Sequence, residues 1–325
     1  MNKKFKSFLK IIFGILISVC LVNYLISSVE YEKVLGYIYN IKWEYFVISI
    51  IVSFFSHLLR ALRWAILLED IGYKVSRFGL ICGTFFGLFI NILIPRGGEL
   101  ARCTSMNYKY GLPTNILLGT ILLERVIDFI ILLIIIFLVV LLDFQTFGNF
   151  FAEKVFFLSD KVLLSWETVG VFLMFGIIIL IILFNLRDKF LLFVKGHNFF
   201  LGVLDGIKSV NKLKRRGLFI VYTAGIWLFY ILITYIPFHA FADLENLGFI
   251  NAMFILILGG IGMIIPAPAG IGSYHAVVIE GMISVLDVSR DAATAYAFTS
   301  HTLTTLYTII LGLFCSLYIF KSKFY

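Results

Sequence analysis

The residues that could do chemistry in this chain are few, and they sit where charge is costly. Glu124, Arg125 and Asp128 interrupt an apolar run from 114 to 142. On a helix, Glu124 and Asp128 share a face at i and i+4, and Arg125 reaches Asp128 at i+3. A charge near a bilayer centre costs about 2.5–3.5 kcal/mol on insertion scales, so the three should be paired. The trio carries one excess negative charge and wants a further cation. Arg96 and Arg102 are the candidates, in and just after the stretch Pro95-Arg96-Gly97-Gly98-Glu99. The expectation is a buried network of Glu99, Arg96 or Arg102 with Glu124, Arg125 and Asp128. It could line a polar cavity for a charged headgroup, clamp two segments together, or do both.

A second polar group follows Pro266-Ala267-Pro268-Ala269-Gly270-Ile271-Gly272. Ser273 is placed to cap a helix that starts there. His275 follows the Gly-rich turn directly, and His301 lies on the last apolar run. Either histidine could face a cavity or be a hydrogen-bonded core residue. Gly97 and Gly98 allow close backbone approach. A helix starting at such a turn directs N–H groups and partial positive charge at its surroundings, which suits phosphate or carboxylate. His57, Arg60 and Arg63 read as snorkelling residues at a membrane interface. No two histidines have a metal-ligand spacing, and no G-x-x-x-x-G-K-[ST] motif is present, so neither metal, cofactor nor nucleotide is expected.

Composition narrows the setting. Of 325 residues, 61% are hydrophobic and only 14% charged, against about 45–50% and about 25% in soluble domains. That excludes a water-soluble enzyme. The net charge of +8 does not indicate nucleic acid, because the basic residues punctuate apolar runs. With 35 Phe and 16 Tyr the chain is not disordered. Cys20, Cys82, Cys103 and Cys315 show no paired spacing, so neither a disulfide framework nor a zinc site is expected.

The elements that must position these residues are helices. Six runs are long enough to span: 8–28, 43–68, 114–142, 167–186, 217–241 and 293–320. The first resembles a signal peptide but lacks a small-x-small site, so it reads as a retained helix. The stretches 78–94 and 248–265 are shorter, and each ends at a proline and a Gly-rich turn. A weaker helical stretch follows each, 97–111 and 273–288. Lysines at 3, 4, 6 and 10, the basic segment 60–77 and the basic loop 187–216 place these parts in the cytoplasm. Those assignments agree only if 78–112 enters and leaves on the cytoplasmic side. By the same bookkeeping 248–292 enters and leaves on the outside, and both termini are cytoplasmic. Both arms of each hairpin could also cross fully, with unchanged loop orientation.

The predicted architecture is therefore an all-α polytopic membrane protein with six full spans and two re-entrant helical hairpins. It forms one integral membrane domain over 1–325. The first half, about 1–166, carries hairpin 78–112, and the second, about 167–325, carries hairpin 248–292. Entered from opposite sides, the hairpins make an inverted repeat, in which matching interrupted segments point to a midplane site.

Arg60-Ala-Leu-Arg63-Trp64, Pro95-Arg96-Gly97-Gly98-Glu99 with Arg102, Glu124-Arg125-Val126-Ile127-Asp128 and Pro266-Ala-Pro268-Ala-Gly270-Ile-Gly272 occur in that order. This series resembles the lysylphosphatidylglycerol synthase transmembrane-region family, also called the flippase-like domain family. The resemblance covers nearly the whole chain. It implies an integral plasma-membrane protein, associated in the multiple peptide resistance factor with moving a lipid between leaflets. There a cytoplasmic synthase domain adds lysine to phosphatidylglycerol. This chain ends at Tyr325, soon after the last span, so it is not expected to make that lipid itself. Ala269 stands where the family pattern has a second glycine, and His275 near its acidic position.

The function expected is lipid translocation, without enzymatic activity. Arg96, Arg102 and the half-helix N-termini would hold the phosphate of an anionic headgroup. Glu99, Glu124 and Asp128 would position the arginines or meet a cationic headgroup. The substrate would be a phospholipid or a polyprenyl-linked lipid. Two rivals remain: a membrane scaffold or accessory subunit for an envelope glycosyltransferase or synthase, and a lipid-headgroup transferase.

Overall fold

The computed structural model describes residues 16, 18–25, 27–148, 150, 213–265 and 267–321. Most of these are helical, with no strand among them. Residues 18–25 are helical, followed by α1 (Tyr31–Tyr39), α2 (Trp43–Asp70), α3 (Arg77–Leu93), α4 (Gly98–Tyr110) and α5 (Thr114–Leu142). After a single π-turn at Phe144–Gly148 the described chain resumes near α6 (Arg216–Tyr235). Then come α7 (Phe249–Gly262), α8 (Ser273–Leu286) and α9 (Arg290–Lys321), with short 3-10 turns before α7 and at Pro268–Gly270.

Five helical segments are long and apolar enough to cross a membrane: Trp43–Asp70, Thr114–Leu142, Arg216–Ala240, Pro268–Leu286 and Arg290–Lys321. Four of them match expected spans within a few residues. The expected span 8–28 is only partly described, and 167–186 lies outside the described residues, as does Pro266. The two stretches expected to form hairpins each hold a packed helix pair, α3 with α4 and α7 with α8. The second arm of the later pair reaches crossing length when its leading 3-10 turn is counted.

The chain divides into two compact units. One comprises Met1–Leu122 and Gly217–Tyr325, the other Leu123–Arg216. In the larger unit both hairpins close on glycine. Gly98 faces the Gly87 carbonyl and the Asn91 amide too closely for any side chain. A Cβ on Gly262 would lie 2.8 Å from the Tyr274 Cα. Such backbone contact is how membrane helices pack when lipid gives no hydrophobic drive between them. The core around the first hairpin is Trp64, Leu68, Leu80, Met106 and Leu117, and the Trp64 indole donates to Thr120 Oγ1 at 2.8 Å.

Loops gather at two ends of this unit. At one, the Glu30 amide donates to Asp291 Oδ1 at 3.3 Å, Tyr37 to Asp243, and the Lys42 amide to the Ala240 carbonyl at 3.2 Å. At the other, Arg77 pairs with Glu69, and Lys109 donates to the Tyr318 carbonyl at 2.7 Å.

Arg63 does not snorkel. It is fully buried, lies over the Phe219 ring at 5.8 Å and donates to Thr223 Oγ1 at 3.4 Å. Both partners lie on α6, far from α2 in sequence, so no local pattern indicates the pairing.

Candidate functional site

The first hairpin turns through Ile94-Pro95-Arg96-Gly97. Arg96 holds the left-handed conformation at φ 62°, unusual for a long side chain and worth about 1–2 kcal/mol of strain. The Gly97 amide donates to the Ile94 carbonyl at 2.9 Å, and the Gly98 amide to Asn91 Oδ1 at 2.7 Å. The amide before α4 and the first N–H of the helix are therefore engaged by the protein itself, as a backbone without access to water requires. Glu99 follows in the first turn of α4.

The second turn bends harder. Ala269, Gly270 and Gly272 all have positive φ, at 54°, 71° and 86°. Two imidazoles hold its ends. The Gly272 amide donates to His275 Nδ1 at 3.1 Å, and His301 Nε2 lies 3.0 Å from the Ala269 carbonyl, which it donates to. Ser273 does not cap α8. The capping position is Gly272, and the Ser273 hydroxyl turns back to donate to the Gly270 carbonyl at 3.3 Å. His275 is buried, stacks on Phe298 at 4.0 Å and meets His301 edge-on at 4.8 Å. His301 stacks on Tyr274 at 4.8 Å.

The two turns meet. Arg96 Nη2 donates to the Ile264 carbonyl at 3.0 Å. A cavity of about 160 Å³ lies between them, lined by Asn91, Arg96 and Glu99 from the first hairpin and by Ala267, Ala269 and Gly270 from the second. A second cavity of about 150 Å³ carries no charged lining; Ser49, Tyr274, Tyr296, Ser300 and His301 are among its walls.

Arg102 is buried, with its guanidinium 3.7 Å from the Trp64 ring centroid. Arg102 shares with Arg60, Asn91 and Glu99 the lining of a void of about 10 Å³, room for roughly one water. In the smaller unit, Glu124 is fully buried and Arg125 bonds Asp128 at 2.8 Å, as the i, i+3 spacing implied. The expected link between that trio and Arg96 or Arg102 joins residues of different units.

Sequence reasoning missed Tyr274, Trp64 as the partner of Arg102, and Lys109, which is buried with its ammonium 4.0 Å from the Tyr318 ring. A lysine in the last turn of a weakly apolar helix reads as a solvated end, and only the fold covers it. No three His, Cys, Asp or Glu residues are grouped to hold a metal ion among the described residues.

A family model described as the lysylphosphatidylglycerol synthase TM region matches residues 11–312. The chain belongs to this family. Both hairpins, the Arg96–Arg102 stretch and the Glu124–Asp128 trio fall inside the matched residues, so the family's membrane region includes every site described above. The chain is also similar to a UPF0104 membrane protein of Methanocaldococcus jannaschii. The two are 22% identical over 311 residues, covering 92% of this chain and 91% of that one. No solved structure matches the chain at a significant level.

Proposed function

We propose that this membrane protein is a lipid translocase of the flippase-like kind. It would move a phospholipid or polyprenyl-linked lipid between leaflets of the plasma membrane, with both termini in the cytoplasm and no enzymatic step. The observation that carries this reading is the bond from Arg96 to the Ile264 carbonyl across the two hairpin turns. A phosphate offers Arg96 a bidentate, charge-assisted partner, stronger than one backbone carbonyl. An anionic headgroup would exchange with Ile264 and so release the second turn from the first. Asn91 and Glu99 line the same cavity and would orient the arginine. The acyl chains would remain in lipid, and the driving force would be a lipid or ion gradient.

The test is leaflet exchange of a tail-labelled lipid in proteoliposomes. The lipid is chosen by mass spectrometry of what co-purifies with the protein. Arg96→Ala should slow exchange at least tenfold at unchanged folded yield. Exchange no faster than in empty liposomes would end the proposal.

A second reading, a scaffold or accessory subunit for an envelope glycosyltransferase or synthase, is favoured by the internal use of polar groups. The Gly97, Gly98 and Gly272 amides are all hydrogen-bonded within the protein, and Arg102 is stacked on Trp64. On that reading, Arg96→Ala lowers folded yield and changes no lipid distribution.

A further inference from the structure

The largest cavity described lies away from both turns, at the end where α1 meets the segments before α7 and α9. It measures about 500 Å³, within the roughly 300–1,000 Å³ usual for small-molecule sites. Its walls come from α1 (Lys33, Gly36, Tyr37) and Asn40, from 240–242, and from Ser289 and Asp291. By the charge count this is the outer end of the protein, so the cavity faces the aqueous side that carries lipid headgroups.

Its chemistry is specific in three ways. First, its lining charges balance, one ammonium (Lys33) against one carboxylate (Asp291), so neither a phosphate nor an ammonium head is matched. Second, donors and acceptors are interleaved with capacity to spare. Asn40 uses its amide nitrogen on the Gly36 carbonyl at 2.8 Å, which leaves its carbonyl oxygen to accept. Asp291 takes the Glu30 amide on Oδ1, leaving Oδ2. Ser289 Oγ accepts from the Ala292 amide at 3.3 Å and gives its own proton to the Tyr37 hydroxyl, which helps fix that ring beside the others. Lys33 has three N–H groups and gives one to Glu30 at 2.7 Å. Third, the Tyr37 ring flanks these groups, anchored by its hydroxyl on Asp243, over an apolar floor at Phe241. Adjacent hydroxyls on a ring, each both donor and acceptor, satisfy such an array, and the C–H face of the same ring packs on an aromatic.

We infer that this cavity, formed where α1, the 240–242 turn and Ser289–Asp291 converge, binds a neutral glycosyl group. The site goes beyond the transport reading and does not depend on it. The glycosyl group could be the head of a glycolipid or a free saccharide, which share the chemistry that the lining recognises.

Gly36 allows a clean test, because nothing lies within 4 Å of where its Cβ would be. Gly36→Leu should fill the cavity without a clash, and it removes a glycine from a helix interior. Asn40→Ala removes one acceptor and serves as the second variant. Full-length protein in nanodiscs is titrated with maltose by calorimetry. In parallel, native mass spectrometry is run on nanodiscs containing diglucosyl diacylglycerol, with phosphatidylglycerol alone as the control. Saturable binding of maltose or the glycolipid is expected, weakened at least tenfold in both variants at unchanged Tm. Binding of the glycolipid alone assigns a lipid headgroup; binding of both assigns the saccharide itself. No saturable binding of either, equal binding of phosphatidylglycerol, or wild-type affinity in Gly36→Leu would overturn the inference. The leaflet-exchange assay is scored separately. A wild-type protein that binds but gives no exchange counts against the translocase alone, and one that exchanges lipid but binds neither probe counts against this site alone.

Discussion

The two hairpins solve one problem with different chemistry. Each must turn a helix without leaving backbone groups unpaired. The first does so with side chains that carry charge or strong polarity. Asn91 engages the start of α4, and Arg96 bridges outward to Ile264. The second has no charged residue between Met263 and Gly272. It bends through three positive φ angles and is held from both ends by neutral-type donors and acceptors on imidazoles. The first turn thus supplies a charge that can change partners, and the second supplies a shape and a row of carbonyls. A pair of identical turns could not do this: two arginines would repel, and two carbonyl-rich turns would offer an anion nothing.

The largest effect should come from breaking either turn at its glycine. Gly98→Val and Gly262→Val both drive a side chain into backbone, and overpacking of that kind costs about 1–3 kcal/mol or more. A fall in Tm and folded yield is expected for both. If only one hairpin suffered, the two would not be equivalent as structural units.

Next is the imidazole grip. His275→Leu leaves the Gly272 amide without its acceptor, a loss of about 1–3 kcal/mol for a buried donor. His275→Asn should recover part of this, because Asn251 accepts the Gly248 amide at 2.9 Å in the same position of α7. Thermal unfolding of the three proteins orders them as wild type, Asn, Leu; an Asn variant no better than Leu would refute the grip.

Smaller effects separate strain from function. Ala269→Gly relieves a left-handed alanine and should stabilise by up to about 1 kcal/mol, leaving exchange unchanged. Arg96→Gly relieves the same strain in the first turn but removes its charge, so Tm should hold while leaflet exchange falls. Parallel behaviour of the two variants in exchange would erase the functional contrast between the turns.

The smallest effect lies outside both hairpins. Lys42 holds the Glu245 carboxyl below the usual carboxylate range, and Glu245 holds Lys42 above the usual ammonium range. A depressed carboxylate contributes stability above its unfolded value and loses it as pH falls through the folded one. Unfolding midpoints should therefore drop slightly more in wild type than in Lys42→Gln on acidification below about pH 4. This solvent-exposed pair should change little else.

Much of the helix order was legible because lipid imposes it. Apolar runs of crossing length can do little else, which is why 43–68, 114–142, 217–241 and 293–320 reappear as Trp43–Asp70, Thr114–Leu142, Arg216–Ala240 and Arg290–Lys321. The hairpin positions were legible for a related reason: proline and paired glycines cannot continue a helix. The Arg125–Asp128 bond was legible because its spacing is local.

What the side chains at the turns do was not legible. Sequence made Ser273 the cap, and the fold gave that position to Gly272 and its amide to His275, because the imidazole reaches the N–H from within a packed helix pair. Sequence left Arg63 at a wet interface and singled out nothing at Lys109, and the fold buried both against aromatic rings. Cys82 and Cys315, with no meaningful spacing, share one core cluster as free thiols. The sequence by itself determined which segments are apolar and long enough to cross, where helices break and which residues carry charge, since these follow from local sterics and the cost of polarity in lipid. Only the tertiary structure decided which partner each polar group takes, because hydrogen bonds and ring contacts form between helices whose proximity no local rule encodes.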